Sequence, residues 1–199
     1  MTGLTGRYSA FAGSKRLASG SLAEAALAAK DVIDHDDRVA VFVFEDASGR
    51  IVDLDMRGSS DDVLARLENK KDAAPRGPGR PKLGVVAREV TLLPRHWDWL
   101  ASQPGGASVA LRKLVDAARA ANADADRMRL AREATDRFMV TLAGDLPGYE
   151  AAARAIYAGD EARFGQAIQD WPQDIREHAV RLAADAFPGP DAPDAQLPV

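Results

Sequence analysis

The chain has 199 residues, 46% of them hydrophobic but only 6% aromatic, so its apolar surface comes mainly from Ala, Leu and Val, enough for real cores and biased toward helix. It has no cysteine, which excludes disulfides, thiolate metal sites and thiol nucleophiles and fits a cytoplasmic protein. A net charge of −4 argues mildly against nucleic acid, yet Lys and Arg against Asp and Glu run 8 to 12 over residues 1–69, 10 to 4 over 70–120 and 8 to 14 over 121–199, so the middle is basic.

From the N-terminus, YSAFAG and KRLASG are short runs that can pair across a turn at Gly13-Ser14. The N-terminal stretch lacks the continuous apolar core of a signal peptide, and nowhere do about eighteen apolar residues run together; the expectation is a chain that does not enter a membrane. Ser21 with Glu24 three positions on has capping-box spacing and opens a helix whose stripe is Leu22, Ala26, Ala29 and Ile33. RVAVFVFE is apolar on both faces, as in a central strand, and RIVDLDMRG alternates apolar and polar residues, as in a half-exposed strand paired with it across a turn at Asp46 to Gly49. Ser59 or Ser60 then caps a helix through Leu67. Residues 1–69 thus read as a small α/β domain.

Residues 70–83 follow as a basic linker, with Pro75, Pro78 and Pro81 and no apolar periodicity. After it, Val86, Val90 and Leu92 fall on one face of an alternating strand that ends at Pro94. A first helix carries Leu93, Trp97 and Leu100 on one stripe, Pro104-Gly105-Gly106 stops it, and Ser108 caps a second. In the second, Leu111, Leu114, Val115 and Ala118 face inward while Arg112, Lys113, Asp116 and Arg119 face out. A single strand followed by two short amphipathic helices cannot bury its own apolar faces and needs a neighbour or a second copy. Helices are predicted over Ala123 to Ala143, Gly148 to Ala158, Asp160 to Asp170 and Pro172 to Ala186, and residues 188–199 read as a disordered tail. The fold class is α+β: a small N-terminal α/β domain, a central strand-helix-helix unit at 84–120, and a C-terminal helical bundle at 121–187.

The central segment resembles the ribbon-helix-helix DNA-binding proteins in its strand ending at Leu93-Pro94, its Trp/Leu-striped first helix, its Gly-rich turn and the Ser108-Val109-Ala110-Leu111-Arg112 opening. The resemblance implies that two chains pair their strands, that the ribbon enters the DNA major groove, and that amides near Ala107 and Ser108 meet a phosphate. In the linker, Gly79-Arg80-Pro81 with Lys82 resembles an AT-hook, whose core lies in the minor groove of A·T-rich DNA, although Pro78 stands where that motif carries an arginine. The whole chain resembles the bacterial proteins grouped as domain of unknown function 2239, through the AREVTLLPRHWDWLASQPGGASVALRKLV block, the GRPKLG approach, the early FAGSKRLASGSLAE and the late AGDEARF and WPQDIREHA. That family supplies no activity.

Chemistry of other kinds finds little support. His35, His96 and His178 lie far apart with no second ligand at metal spacing, and Asp53 and Asp55 form a carboxylate pair without a cationic cluster. GPGRPK lacks the GKS/T end of a phosphate loop, and Trp97, Trp99 and Trp171 read as core or interface anchors. The sequence therefore points to a non-enzymatic, cofactor-free, homodimeric DNA-binding protein of the cytoplasm, a transcriptional regulator. Its DNA-binding residues are Arg76, Arg80, Lys82, Arg88, Thr91, Arg95 and Ser108. The rival reading is a non-catalytic protein-interaction or structural module. Glu89, on the groove-facing side of the strand if Val86, Val90 and Leu92 face the core, fits phosphate least well.

Overall fold

The computed structural model describes residues 6–36, 38–72, 86 and 88–188. They form a mixed α+β structure in two compact units, one made of the described residues up to 72 and from 126 on, the other of those between 86 and 125.

In the first unit, β1 (Tyr8–Ala12) and β2 (Lys15–Gly20) make an antiparallel hairpin. Gly13 takes positive φ in the two-residue connection, as such tight hairpins require. α1 (Leu22–His35) opens on the expected capping box: Ser21 Oγ accepts the Glu24 amide at 3.2 Å and the Glu24 carboxylate accepts the Ser21 amide at 2.7 Å. β3 (Val41–Glu45) then pairs antiparallel with β1 and, on its other side, with the short β4 (Arg50–Ile51), giving the sheet order β2-β1-β3-β4 and placing β3 inside it as its double-sided apolar pattern predicts.

The strand expected over RIVDLDMRG is a correction. Only β4 (Arg50–Ile51) pairs with β3, extended by one bond from the Val52 amide to the Val43 carbonyl. Beyond it Arg66 donates to the carbonyls of Asp55 and Arg57, and the Asp55 carboxylate accepts both the Arg57 amide and its guanidinium. Val52, Leu54 and Met56 nevertheless pack on the core, so the alternation marks their inward side without marking a strand. α2 (Ser60–Asp72) runs past the expected end at Leu67, and Ser59 caps it with Asp62.

Both faces of the sheet are covered. Ala10 and Val43 face Ala25 and Ala29 of α1, whose small side chains allow close approach. Phe11 and Phe44 face the other way, into a larger core with Phe138, Met139, Ile156, Phe164, Ile168, Trp171, Ile175 and Leu182. These come from α5 (Ala123–Ala143), α6 (Tyr149–Ala158), α7 (Glu161–Ala167), α8 (Gln173–Leu182) and the segments between, with a 3₁₀ turn at Ala183–Asp185. The N-terminal α/β region and the C-terminal helices, read as separate stretches from sequence, share this core. Trp171 is an anchor within it: it is buried and its Nε1 donates to the Pro147 carbonyl at 2.8 Å. Among the described residues no helix is long and apolar enough to cross a membrane.

The second unit consists of α3 (Pro94–Ser102) and α4 (Gly106–Ala121), with residues 88–93 leading in. Pro94 opens α3 as predicted. Two expectations are corrected. The described residues of the predicted strand form no strand within one chain, and among the described residues no strand pairs with them. Nor does Ser108 cap α4: the helix begins two residues earlier, because Gly105 and Gly106 both take positive φ and turn the chain before Ser108 is reached.

Candidate nucleic-acid interface and a buried polar cluster

Of the predicted DNA-contacting residues, Arg76, Arg80 and Lys82 lie outside the described residues. Arg88 and Thr91 are exposed on the stretch before α3, Arg95 is exposed in its first turn, and Ser108 is exposed in the first turn of α4. The Ser108 carbonyl accepts from Arg112 Nε at 3.1 Å, and the Gly106 amide is committed to the Gln103 carbonyl. The exposed stretch holding Arg88, Thr91 and Arg95 also holds Glu89.

The apolar stripes beside these residues are left uncovered. Of the predicted inward residues of α3, Leu100 is buried but Leu93 and Trp97 are 49% and 42% exposed; on α4, Leu114 and Val115 are 48% and 54% exposed. Val86 and Val90 are exposed as well. Among the described hydrophobic residues of this unit only Leu100 and Ala110 are buried, which is too little for a core of its own.

The first unit contains a polar cluster that the sequence did not announce. Asp46 follows β3, and β1 and β2 bring Ser9 and Ser19 beside it. A guanidinium can only donate, so Arg7 Nε donates to Ser19 Oγ at 3.1 Å, Ser19 passes its hydroxyl proton to Ser9 Oγ at 2.8 Å, and Ser9 donates to Asp46 Oδ2 at 3.2 Å. Arg181 of α8 reaches Ser9 Oγ at 3.3 Å and stands 3.6 Å from Asp46 Oδ2; Arg7 Nε stands 3.7 Å from the same oxygen. His178, fully buried between the Phe11 and Phe138 rings, holds Arg181 on its Nδ1. Its Nε2 and Asp46 Oδ1 face each other across 3.7 Å, and neither has a hydrogen-bond partner among the described residues.

Burial sets the electrostatics here. It pushes the Asp46 carboxyl up, against the pull of the Ser9 hydrogen bond and of Arg181, Arg7 and Arg16. It pushes His178 down to about 3, reinforced by Arg181, Arg16 and Arg7, so the imidazole is neutral at physiological pH. Arg16 closes the edge of the cluster, its amide on Asp174 at 2.9 Å and its guanidinium on Glu177 at 3.3 Å. The guanidiniums of Arg7 and Arg181 thus stand beside Asp46 and that of Arg16 beside Glu177, while Asp174 accepts the Arg16 amide, so each cation of the cluster has a carboxylate next to it. Grooves on the described surface lie elsewhere, the larger being about 580 Å³ and formed by residues 144 to 151 with Arg154. Another, of about 520 Å³, lies between α6 and α7, where Arg154 and Arg163 are each paired with a carboxylate on the same helix or its cap, Glu150 and Asp160.

Residues 7–183 match a family described as an uncharacterized protein conserved in bacteria, DUF2239. The chain belongs to that family. Comparison with curated proteins and with solved structures finds no match in either. The DUF2239 match spans the sheet, both central helices and α8, and takes in the whole cluster from Arg7 to Arg181.

Proposed function

We propose that this DUF2239 protein binds DNA as a homodimer, paired through residues 84–120, and acts as a transcriptional regulator. The observation that carries the reading is the exposed apolar surface of Val90, Leu93, Trp97, Leu114 and Val115, on the stretch before α3 and on the two helices, which a second copy would cover. Covering the exposed part of each such side chain is worth roughly 1 kcal/mol, and a two-fold interface counts every one twice. An unpaired segment before α3 is what one half of a two-chain ribbon looks like alone.

The electrostatic support comes from the sequence between Arg76 and Arg95, where Arg76, Arg80, Lys82, Arg88 and Arg95 stand against Glu89 alone. A second chain doubles that charge along one edge, and Thr91 supplies a hydroxyl for a base. The test joins solution mass to a mobility shift on duplex DNA at low salt. The expected result is a dimer that shifts DNA and an Arg80→Ala/Lys82→Ala variant that shifts it more weakly. A monomer without a shift overturns the reading and leaves the apolar face to an unlike protein partner.

A further inference from the structure

We propose that His178 is a proton-sensitive latch holding α8 on the sheet: it docks the helix as a neutral ring with its proton on Nε2, and taking up a second proton undocks it. This inference stands on the first unit alone and does not depend on DNA binding.

The tautomer follows from the partners. Arg181 has only donors, so the Nδ1 it contacts must accept, and the ring proton must sit on Nε2, directed at Asp46 Oδ1. A second proton has to land on Nδ1, against the guanidinium. Asp46 attracts an imidazolium, but it already serves Ser9, Arg181 and Arg7 through Oδ2, and a proton on Nδ1 takes away the acceptor that holds Arg181. The charged groups around the ring are Arg7 from β1, Arg16 from β2, Asp46 after β3, and Asp174, Glu177 and Arg181 from α8 itself. α5 presents the Phe138 ring, with neighbouring Arg137 turned to the Ser48 carbonyl and Glu133. These charges cancel only while His178 is neutral, and with no exposed edge the ring cannot share an added charge with water.

The consequences fall on docking because the cluster spans the junction. Arg181 to Ser9, His178 toward Asp46, and Arg16 to Asp174 and Glu177 all join α8 to the sheet or the turn after it. The folded ring binds its proton less readily than the unfolded one, with an affinity lowered from the ordinary 6.5 to about 3. Its contribution to stability is therefore complete above pH 6.5 and is lost as the pH falls from there toward 3. Burial of Asp46 works in the opposite sense, favouring the fold on the acid side, so the two must be separated by substitution.

His178→Gln separates them, because a glutamine can accept from Arg181 and donate to Asp46 yet has no proton to gain. Full-length wild type and H178Q are compared by urea denaturation between about pH 7.5 and 4, together with hydrogen exchange of the α8 amides. The expected result is a wild-type midpoint that falls below pH 6.5, with α8 protection lost first, and an H178Q midpoint that changes at least twofold less over the same range. Equal pH dependence in the two proteins, or an equal loss in H178Q at every pH, overturns the proposal. Should H178Q fail to fold, NMR of the wild-type ring decides: an Nε2–H tautomer that titrates only near pH 3 upholds the latch, and titration near 6.5 overturns it.

Discussion

The residues whose roles were legible in the sequence are those that act on near neighbours. Ser21 and Glu24 lie three apart and make the capping box their spacing implies, and Gly13 makes the tight hairpin turn. Ser9, Asp46 and His178 were not legible, because 132 residues separate Asp46 from His178 and no local pattern marks a contact made by folding α8 back on the sheet. Gly49 is of the same kind. It takes positive φ, and a Cβ placed there would lie 2.0 Å from the Ala134 carbonyl oxygen, so the turn after β3 presses directly on the α5 backbone. Gly49→Ala is accordingly expected to cost at least ~2 kcal/mol in urea denaturation. Gly13→Ala, at a positive φ with open space around it, should cost only about 1 kcal/mol. Equal losses at the two glycines would remove the close approach as a structural constraint.

At the scale of elements, periodicity located nearly every helix, and α5 begins and ends where its pattern does. It failed where the partner strand runs out: Val52, Leu54 and Met56 point inward as a strand's residues would, but the register carries Asp55 to Arg57 past the start of β3, and Arg66 takes the carbonyls of Asp55 and Arg57. The central strand is absent for a different reason, since a strand is defined by its partner and none of the described residues pairs with 88–93. α3 and α4 show the same incompleteness, with stripes read correctly as apolar but left half exposed. Leu114→Glu tests what covers them. Leu114 is 48% exposed in the single chain, so the substitution should leave far-UV circular dichroism unchanged while shifting the solution mass from dimer to monomer. A Leu114→Glu protein that stays dimeric would place the interface elsewhere.

At the scale of the whole molecule, composition hid the organisation. The acidic total conceals a basic middle, and the two acidic flanks, separated by the central unit in sequence, fold together around one core built on Phe11, Phe44 and Phe138. The proposed division of labour would give DNA and dimerisation to the central unit and its basic approach, and acid-sensitive stability to the sheet and its helices. The most direct measurement of the central claim is the salt dependence of binding, by fluorescence anisotropy of full-length protein on a random duplex between about 50 and 200 mM salt. The expected result is affinity that falls at least tenfold across that range, and a log–log slope about 3.6 units shallower in Arg80→Ala/Lys82→Ala, since the dimer then loses four phosphate contacts at roughly 0.9 each. Absence of binding at the low-salt end, or an affinity indifferent to salt, would contradict it.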